Sequence, residues 1–441
     1  MSRTGPLTKA LMNRRDSIKT MAAAGAACLV PTIIPASALG KNGAVAPSER
    51  IVLGAIGLGP RGEYDLKFML REKDVQFVAI CDARKVRREA IKKIADKHYG
   101  SSDCQMYPEM KEFLATRDDL DAVLIATGDR WHALATILAM RSGKDVYSEK
   151  PSCMTIAEGR EVVETARRYG RIYQTGTQRL SEGPFVTAIE LARSGRLGQI
   201  QTVRAHIAPW DAAEMSHAWL PEEPQPSKDE VDWDAWLGPC PWRPYNSTYV
   251  QGGWRGHYDF HTSCIGEWGA HTFPQSQAGI DALTTSAVEY QYVKNTTGDG
   301  MVVKFGNGVQ MVLTRGDKYF HGSCGMRFEG TEGWVACADG YKKAEVSKDN
   351  LLEDGAKLLC DYMDRTQRPM NHYRNFLDCV KSRQQTVANP DVMHHSMSTV
   401  HGANICMWLK RDLKYDPVKE EFNDPEANRL RTRAQREPYI Y

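Results

Sequence analysis

Residues 51–62 read Ile51-Val52-Leu53-Gly54-Ala55-Ile56-Gly57-Leu58-Gly59-Pro60-Arg61-Gly62, and this stretch decides the fold of the chain. Its apolar first half predicts a buried strand, and G-x-G-x-x-G follows at the start of a predicted helix. In that setting Gly57 permits a tight turn, Gly59 lets a pyrophosphate approach the backbone, and Gly62 lets the helix pack on the strand. Pro60 and Arg61 open the helix, whose free N–H groups bind phosphate. The stretch predicts a dinucleotide-binding unit.

An acidic residue supports this interpretation against that of a glycine-rich turn without a ligand. Asp82 ends the second predicted strand, Val75 to Asp82, 20 residues beyond Gly62. A carboxylate there accepts hydrogen bonds from the adenosine ribose and repels a 2′-phosphate, so it favours NAD over NADP. Arg84 and Lys85 lie close by and are the features that would favour NADP.

Further strands alternate with helical patterns up to about residue 180. We expect strands at Ala122 to Ala126, Asp145 to Ser148 and Ile172 to Thr175, and a helix from Ile156 to Tyr169. Such alternation is typical of βαβ units on a parallel sheet. The sequence therefore predicts an α/β fold class with a doubly wound, NAD-binding Rossmann domain over residues 50–180.

The remainder, residues 181–441, has a different pattern. Asn307-Gly308 is a strong hairpin turn between the predicted strands Met301 to Phe305 and Val309 to Thr314. Successive strands joined by tight turns predict an α+β domain with an open, mainly antiparallel sheet. Two helices are expected near Tyr373 to Lys381 and Asp391 to Leu409. The charged stretch Lys410 to Tyr441 is expected to run over the surface or onto a neighbouring subunit.

Residues 1–38 have the features of an export signal. Arg14-Arg15 precedes a mildly apolar run from Met21 to Val30, and Ala36-Ser37-Ala38 supplies a cleavage site. This order is typical of the twin-arginine (Tat) pathway, which predicts a periplasmic or otherwise exported protein that folds before transport. A lipoprotein anchored at Cys28 is the alternative interpretation. Residues 39–49 are predicted to be a linker.

Composition excludes several classes of protein. The chain has 441 residues, 57 Lys+Arg and 55 Asp+Glu, for a net charge of +2. The near balance argues against a nucleic-acid reader that works by bulk charge. No stretch after the first forty residues is apolar enough to span a membrane. Of the eleven cysteines none has C-x-x-C spacing, so most are expected to be buried thiols, and no disulfide is predicted.

Three further motifs carry a resemblance to a known family. They are Ala126-Thr127-Gly128-Asp129-Arg130-Trp131-His132, Glu149-Lys150-Pro151 and Gly176-Thr177-Gln178-Arg179. With the fingerprint, the chain resembles the glucose-fructose oxidoreductase / inositol dehydrogenase / MocA (Gfo/Idh/MocA) family. The resemblance implies a Rossmann domain joined to an open-sheet domain, a nicotinamide cofactor between them, and sugar or cyclitol substrates. It also implies a homo-dimer or homo-tetramer, and places Thr127, His132 and Gln178 at the cofactor.

The same resemblance assigns catalytic roles. Lys150, with Glu149 beside it, would lie next to the nicotinamide and stabilise a developing alkoxide. A family Asp-x-x-x-His pair matches Glu267 and His271, where i, i+4 spacing lets the carboxylate orient the imidazole. His271 is then the candidate general base. Because glutamate is longer than the aspartate of the family, the group that Glu267 contacts stays open. A surface ion pair, or a metal site including His257 and His261, is the less favoured interpretation, and no metal is predicted.

Export and family together favour certain reactions. Seven of ten tryptophans, Trp210 to Trp268, lie in one stretch, and some are expected to pack on a sugar ring while others are core. Because free NAD is scarce outside the cytoplasm, the cofactor is expected to stay bound. We therefore predict an oxidoreductase acting on a carbohydrate, glycoside or cyclitol. The alternatives are a redox-neutral glycosidase or lyase, whose relatives usually lack an intact Glu-Lys-Pro, and a silent NAD-binding scaffold.

Overall fold

The computed structural model describes residues 45–207, 215–294, 300–313 and 319–441. The predicted export signal, Trp210 and Thr314 lie outside these ranges. Of the predicted linker, Pro47–Glu49 forms a 3-10 turn. Residues 51–441 form one compact unit, to which the following description applies.

The first part of this unit is a parallel sheet covered by helices. Its strands are β1 Ile51–Ile56, β2 Val75–Cys81, β3 Gln105–Tyr107, β4 Ala122–Ile125, β5 Asp145–Ser148 and β6 Tyr173–Thr175. Its helices are α1 Pro60–Met69, α2 Lys85–Tyr99, α3 Met110–Thr116, α4 Asp129–Arg141 and α5 Ile156–Tyr169. The strand order β3-β2-β1-β4-β5-β6 is that of a doubly wound sheet, which confirms the predicted Rossmann fold.

Local signals in the sequence explain where these elements begin and end. Strands β4 and β5 are buried along their whole length, as strands covered on both faces require. Helix α5 begins after Thr155, whose hydroxyl accepts the N–H of Glu158 at 3.2 Å. It ends at Gly170, which adopts the left-handed conformation (φ 60°) that glycine tolerates best. The predicted bounds of this helix agree with the structure.

The second part contains a nine-stranded sheet in the order β13-β12-β11-β7-β10-β9-β8-β14-β15. Its strands are β7 Ile200–Ala205, β8 Glu289–Val293, β9 Gly300–Lys304, β10 Gln310–Leu313, β11 Met326–Gly330, β12 Trp334–Cys337, β13 Glu345–Val346, β14 Leu413–Asp416 and β15 Glu421–Phe422. Among the described strands of this sheet only β10 and β7 pair in parallel, so the predicted mainly antiparallel sheet is confirmed. Asn307-Gly308 forms the predicted turn between β9 and β10, with Gly308 at φ 87°.

Helices cover one face of this sheet and also return to the first part. They are α6 Gly183–Arg193, α7 Trp233–Leu237, α8 Ser263–Gly279, α9 Gly355–Thr366, α10 His372–Ser382, α11 Pro390–Leu409 and α12 Pro425–Arg429. Helix α8 packs against α6, α11 and strand β11. Helix α10 instead joins the core of the parallel sheet, where Tyr373 and Phe376 pack among its buried residues. The chain therefore crosses back to the Rossmann sheet after residue 370.

The C-terminal stretch packs on its own chain. Strands β14 and β15 extend the nine-stranded sheet. The Tyr439 hydroxyl donates to Asp234 Oδ2 at 2.8 Å, and its ring meets Trp131 edge to face at 5.4 Å. A few aromatic and arginine side chains thus anchor an otherwise polar segment that runs over the surface of its own chain.

Two further expectations concern the described residues as a whole. No helix there is long and apolar enough to cross a bilayer. The ten cysteines from Cys81 to Cys406 are free thiols, and all except Cys360 are buried.

Candidate active site

A cavity of about 640 Å³ opens where strands β1, β2 and β4 end. The fingerprint lines one wall through Gly57, Gly59, Pro60 and Arg61. Asp82 and Thr127 line the neighbouring wall. Residues predicted separately from three strand ends are therefore brought together around one space, at the edge where doubly wound sheets bind ligands.

The three glycines of the fingerprint have different surroundings. Gly57 has φ 67°, and a Cβ there would lie 2.2 Å from Thr127 Cγ2. A Cβ on Gly62 would lie 2.6 Å from Leu58 Cδ2 and 2.8 Å from the Ala126 Cβ. A Cβ on Gly59 would meet no atom within 4 Å. Gly57 is required by the backbone conformation of the turn, and Gly62 by the close packing around it. Gly59 instead leaves an open cradle at the start of α1 that suits a pyrophosphate.

The carboxylate of Asp82 lies at the cavity wall, where it could accept hydrogen bonds from the ribose of a dinucleotide. Its Oδ1 accepts the Arg84 N–H at 2.8 Å. Burial raises the pKa of Asp82 to about 6, although the hydrogen bond from the Arg84 backbone N–H opposes this shift. The carboxyl group is therefore still mainly ionised at neutral pH. Arg84 Nη1 donates to the Val250 carbonyl at 2.8 Å, and Lys85 Nζ to Asp229 at 2.7 Å. The two basic side chains are thus engaged by the second part of the chain.

The roof of the cavity comes from the C-terminal half, as expected for a cofactor site between the two domains. Residues Val250 to Gly252, Trp254 and Arg255 line it, together with Trp236 and Tyr439. Gly252 has φ 114°, which lets this segment turn tightly over the cavity. The closely spaced Gly252, Gly253 and Gly256 are the one sequence signal that could have indicated such a turn.

Glu149 lies buried beneath the loop that carries Lys150. Its Oε1 accepts from Gln178 Nε2 at 2.7 Å and from Arg61 Nε at 3.3 Å, and its Oε2 accepts the Lys150 N–H at 3.1 Å. Burial alone would raise the pKa of Glu149, but Arg61, Lys150 and Gln178 hold it below its usual range. A Cβ on Gly176 would lie 2.2 Å from Oε1, so glycine is required there. Gln178 therefore positions Glu149, and neither side chain lines the cavity.

Lys150 reaches the second part of the chain. Its Nζ donates to the Glu267 carbonyl at 3.0 Å and lies 4.9 Å from the centroid of the Trp268 ring. Arg255, which lines the cavity, pairs with the Glu267 carboxylate at 3.2 Å. The predicted Lys150 and Glu267 therefore lie together, next to the end of the cavity that Arg255 and Arg61 border.

The Glu267 carboxylate, whose partner the sequence left open, bonds to His261 and Arg255 rather than to His271. His261 Nδ1 accepts the Gly256 N–H, so its Nε2 carries the proton and donates to Glu267 Oε2 at 3.0 Å. The longer glutamate side chain reaches His261 and Arg255 instead of turning along its own helix. Burial would raise the pKa of Glu267, but His261, Lys150 and Arg255 lower it to about 2, so it stays ionised.

His271 is a neutral, buried imidazole. Among the described residues no partner hydrogen-bonds its Nδ1. Burial lowers its pKa well below 6.5, and Arg179, Lys150 and Arg61 act in the same direction. The unpaired nitrogen can accept a proton, although the surrounding cations make His271 a weak base.

His132 lies behind the Glu-Lys-Pro loop, away from the cavity wall where the resemblance had placed it. Its Nδ1 bonds to the Pro151 carbonyl at 2.6 Å, so this nitrogen carries the proton. The side chain is buried. His132 therefore supports the loop that presents Lys150. Among the described residues, no three His, Cys, Asp or Glu side chains are grouped to hold a metal ion.

Helix α8, which carries Glu267 and His271, is tied to the first part at its N-terminus. Asp129 Oδ2 accepts the Thr262 N–H at 3.0 Å and the Thr262 hydroxyl at 2.7 Å. Ser263 adopts φ 69°, and its hydroxyl donates to Asn404 Oδ1 at 2.6 Å. The strained Ser263, held by Asn404, and the neighbouring Thr262, held by Asp129, fix the N-terminus of this helix. The sequence contains no local signal for these contacts.

One buried histidine near the site predicts a pH dependence of stability. His372 Nε2 donates to the Thr175 carbonyl, and burial lowers its pKa to about 4. Because the unfolded chain binds this proton near pH 6.5, the stabilising difference is complete above that pH and is lost as the pH falls toward 4. The size is roughly 3 kcal/mol, at 1.36 kcal/mol per pH unit.

We expect the free energy of unfolding, measured in urea at pH 7 and pH 4.5, to fall more in the wild type than in His372→Gln. The exposed His98→Asn variant serves as the control and should follow the wild type. Equal pH dependence in all three proteins would contradict a neutral His372.

Family models match both parts of the chain. The model described as "Oxidoreductase family, NAD-binding Rossmann fold" matches residues 51–177, and "Oxidoreductase family, C-terminal alpha/beta domain" matches residues 194–441. The first part is therefore an NAD-binding Rossmann domain, in agreement with the open cradle at Gly59 and the carboxylate of Asp82.

The chain is also similar to curated proteins over part of its length. A glycosyl hydrolase family 109 protein of Shewanella pealeana is 33% identical over 175 residues, which are 36% of this chain and 37% of that protein. An alpha-N-acetylgalactosaminidase of Shewanella oneidensis is 28% identical over 199 residues, 42% of each protein. The matched region spans less than half of either relative.

Solved structures share the fold over nearly their whole length. The WlbA dehydrogenase of Chromobacterium violaceum, in complex with NADH and UDP-GlcNAcA, has a TM-score of 0.59 at 16% identity and covers 85% of this chain and 98% of that one. The myo-inositol 2-dehydrogenase of Lactobacillus plantarum has a TM-score of 0.55 at 16% identity, covering 83% and 100%. At such identity these likenesses establish the fold alone.

Proposed function

The chain belongs to the Gfo/Idh/MocA oxidoreductase family, and from that premise we propose that it is an NAD-dependent oxidoreductase acting on a hydroxyl group of a carbohydrate, glycoside or cyclitol. The observation that carries the proposal is the position of Lys150. Its ammonium group lies between the Glu267 carbonyl and the Trp268 ring, next to the end of the dinucleotide cavity that Arg255 borders, and His271 lies one turn beyond Glu267 on the same helix.

The residues have complementary tasks in such a reaction. When bound, NAD supplies a hydride acceptor for the carbon that bears the hydroxyl. The Lys150 ammonium stabilises the negative charge that develops on the hydroxyl oxygen as its proton leaves. His271, neutral and with an unpaired Nδ1, is the group that takes this proton. The alcohol thereby loses one hydride and one proton and becomes a ketone.

Glu267 and Trp268 hold the cation and the substrate. The Glu267 carboxylate, paired with Arg255 and His261, keeps a negative charge close to Lys150. Trp268 is partly exposed and supplies a flat aromatic face on which the C–H face of a sugar ring packs. Of the other tryptophans, Trp233 is a core residue, Trp236 and Trp254 line the dinucleotide cavity, and Trp219 and Trp242 are exposed.

We also propose that the protein is exported by the Tat pathway with NAD already in place. The N-terminal twin-arginine pattern and the roof over the cavity support this. A cofactor that does not exchange must be regenerated where it lies, by reduction of a second carbonyl compound in the same site. The substrate pair is then one sugar alcohol and one acceptor carbonyl.

A redox-neutral glycosidase is the second candidate, and the similarity to glycosyl hydrolase family 109 proteins is the observation that favours it. In that reaction a ring hydroxyl is oxidised, the leaving group is eliminated, water adds, and the ketone is reduced again, so no net redox change remains. The intact Glu149-Lys150-Pro151 motif favours the oxidoreductase.

Two measurements distinguish these functions. First, the purified protein is denatured and the supernatant analysed for NAD by absorbance and mass. Second, the native protein is incubated with a panel of sugars, cyclitols and aryl glycosides without added NAD. Reduced nicotinamide that accumulates and is reoxidised by a second carbonyl compound is the expected result. Release of the aglycone without accumulation would instead support the glycosidase, and failure to bind NAD would contradict both.

A further inference from the structure

Asp65 is a fully buried carboxyl group on α1, one turn after the fingerprint, and it has an unusual environment. Its Oδ1 accepts the Tyr373 hydroxyl at 2.6 Å and lies 3.0 Å from Arg61 Nη2. Its Oδ2 is buried, and no donor among the described residues bonds to it. A buried carboxylate oxygen without a donor is costly, so this atom needs an explanation.

The nearest explanation is a second buried carboxyl group. The Glu149 side chain is also buried, and its Oε1 lies 3.3 Å from Nε of the same Arg61 that Asp65 contacts. The two carboxyl groups share the single guanidinium of Arg61. Two buried carboxylates that share one guanidinium repel each other, which favours the protonated form of one of them. One proton on Asp65 removes one charge and turns the unpartnered Oδ2 into a donor.

We propose that Asp65 carries a proton in the folded protein and donates it to Glu149, so that the pair holds the Lys150 loop in position. Glu149 accepts the Lys150 backbone N–H, and Asp65 fixes the Glu149 carboxylate from below. Asp65 is therefore a positioning residue, which links the dinucleotide-binding helix to the lysine loop. Its role in turnover rests on the proposed function, whereas its protonation does not.

The electrostatics of the surrounding elements agree with this assignment. Burial and the charge of Glu149 raise the pKa of Asp65 to about 8, while Arg61 and Tyr373 act against the shift. Glu149 keeps a lowered pKa because Arg61 and Lys150 outweigh its burial. Burial also raises the pKa of Tyr373 and of Tyr147, which faces the pair from β5, so both tyrosines stay neutral. Asp65 then releases its proton only as the pH rises through about 8.

Infrared spectroscopy tests the proton directly, without any substrate. The wild type minus Asp65→Asn difference spectrum at pH 7 should contain a carboxylic acid band that shifts in D₂O and disappears as the pH rises through about 8. Absence of this band at pH 7 would overturn the proposal.

The pH dependence of the melting temperature is an independent test of the proton on Asp65. Because the folded pKa exceeds the unfolded value of 3.8, the wild type should lose melting temperature relative to Asp65→Asn as the pH rises from 6 to 9. Asp74→Asn is the matched control, since Arg374 and Lys381 outweigh the effect of burial and lower the pKa of Asp74 to about 2. That variant should be less stable than the wild type across the same range. A wild type that gains stability over Asp65→Asn at pH 9 would contradict the proposal.

Turnover tests the positioning role. Asparagine reproduces the protonated acid, so Asp65→Asn should retain most of the turnover and lose the alkaline decline of the wild type near pH 8. Asp65→Ala should lose at least about tenfold in kcat while still folding by circular dichroism. Equal kcat in Asp65→Ala and the wild type would refute the role. If no sugar is turned over by any variant, the proposed function fails while the infrared and stability results still decide the protonation.

Discussion

Replacing Lys150 with alanine is expected to lower turnover by about 10²- to 10⁴-fold, the range typical of a positioned group that stabilises charge or transfers a proton. The ammonium group contacts the Glu267 carbonyl and the Trp268 ring, and among the described residues no other lysine makes these contacts. The NAD content of the purified variant should be unchanged, because Lys150 does not line the dinucleotide cavity. Turnover on the responsive sugar and NAD released on denaturation are the two measurements.

An exposed lysine provides the matched control for this experiment. Lys357 on α9 pairs with Asp361 at the surface, so Lys357→Ala should keep wild-type turnover. If Lys150→Ala also kept full turnover on the responsive substrate, Lys150 would not be catalytic. A variant that had lost NAD as well would point to a structural role of the loop.

The second large effect is expected from the fingerprint glycines, which should separate folding from cofactor binding. Gly57→Ala should destabilise the protein by about 2–5 kcal/mol, because alanine at φ 67° is strained and its Cβ would overlap Thr127. Gly59→Ala should leave the melting temperature unchanged, because φ −74° is ordinary and its Cβ position is open. It should nevertheless weaken NAD binding at least about tenfold, since the methyl group occupies the cradle.

Melting temperature without added ligand and NAD affinity by calorimetry, after removal of any bound cofactor, measure the two effects. Gly100→Ala is the control for positive φ alone, since it has φ 66° and no neighbouring atom within 4 Å. A Gly59→Ala protein that bound NAD as tightly as the wild type would contradict the position assigned to the pyrophosphate.

Much of the first domain could be predicted because its signals are local. A strand, a glycine pattern and an acidic residue at the end of the next strand lie within about thirty residues, and each has a direct steric or electrostatic reason. The strand bounds agree with the structure to within one residue for β1, β2 and β4. The Asn307-Gly308 hairpin was predictable for the same reason, since the turn type depends on two adjacent residues.

The site was harder to predict, and Glu267 illustrates why. Helical spacing places Glu267 and His271 on one face, but spacing cannot tell which partner a flexible glutamate selects. In the structure Glu267 bonds to His261 and Arg255, and the positions of these two residues depend on the turn at Gly252 to Gly256 above the cavity. His132 is a similar case, because its contact with Pro151 depends on how α4 packs against the lysine loop.

Local patterns were enough to predict the Rossmann domain and the preference for NAD, because short-range periodicity, backbone conformation and charge encode them, while the lysine loop was identified through the resemblance that Glu149-Lys150-Pro151 carries. The return of α10 to the parallel sheet, the contact of Tyr373 with Asp65 and the position of Tyr439 at the cavity became known only from the folded structure. These contacts join residues that are far apart in the chain. Their formation depends on the packing of the whole core, which local patterns do not encode.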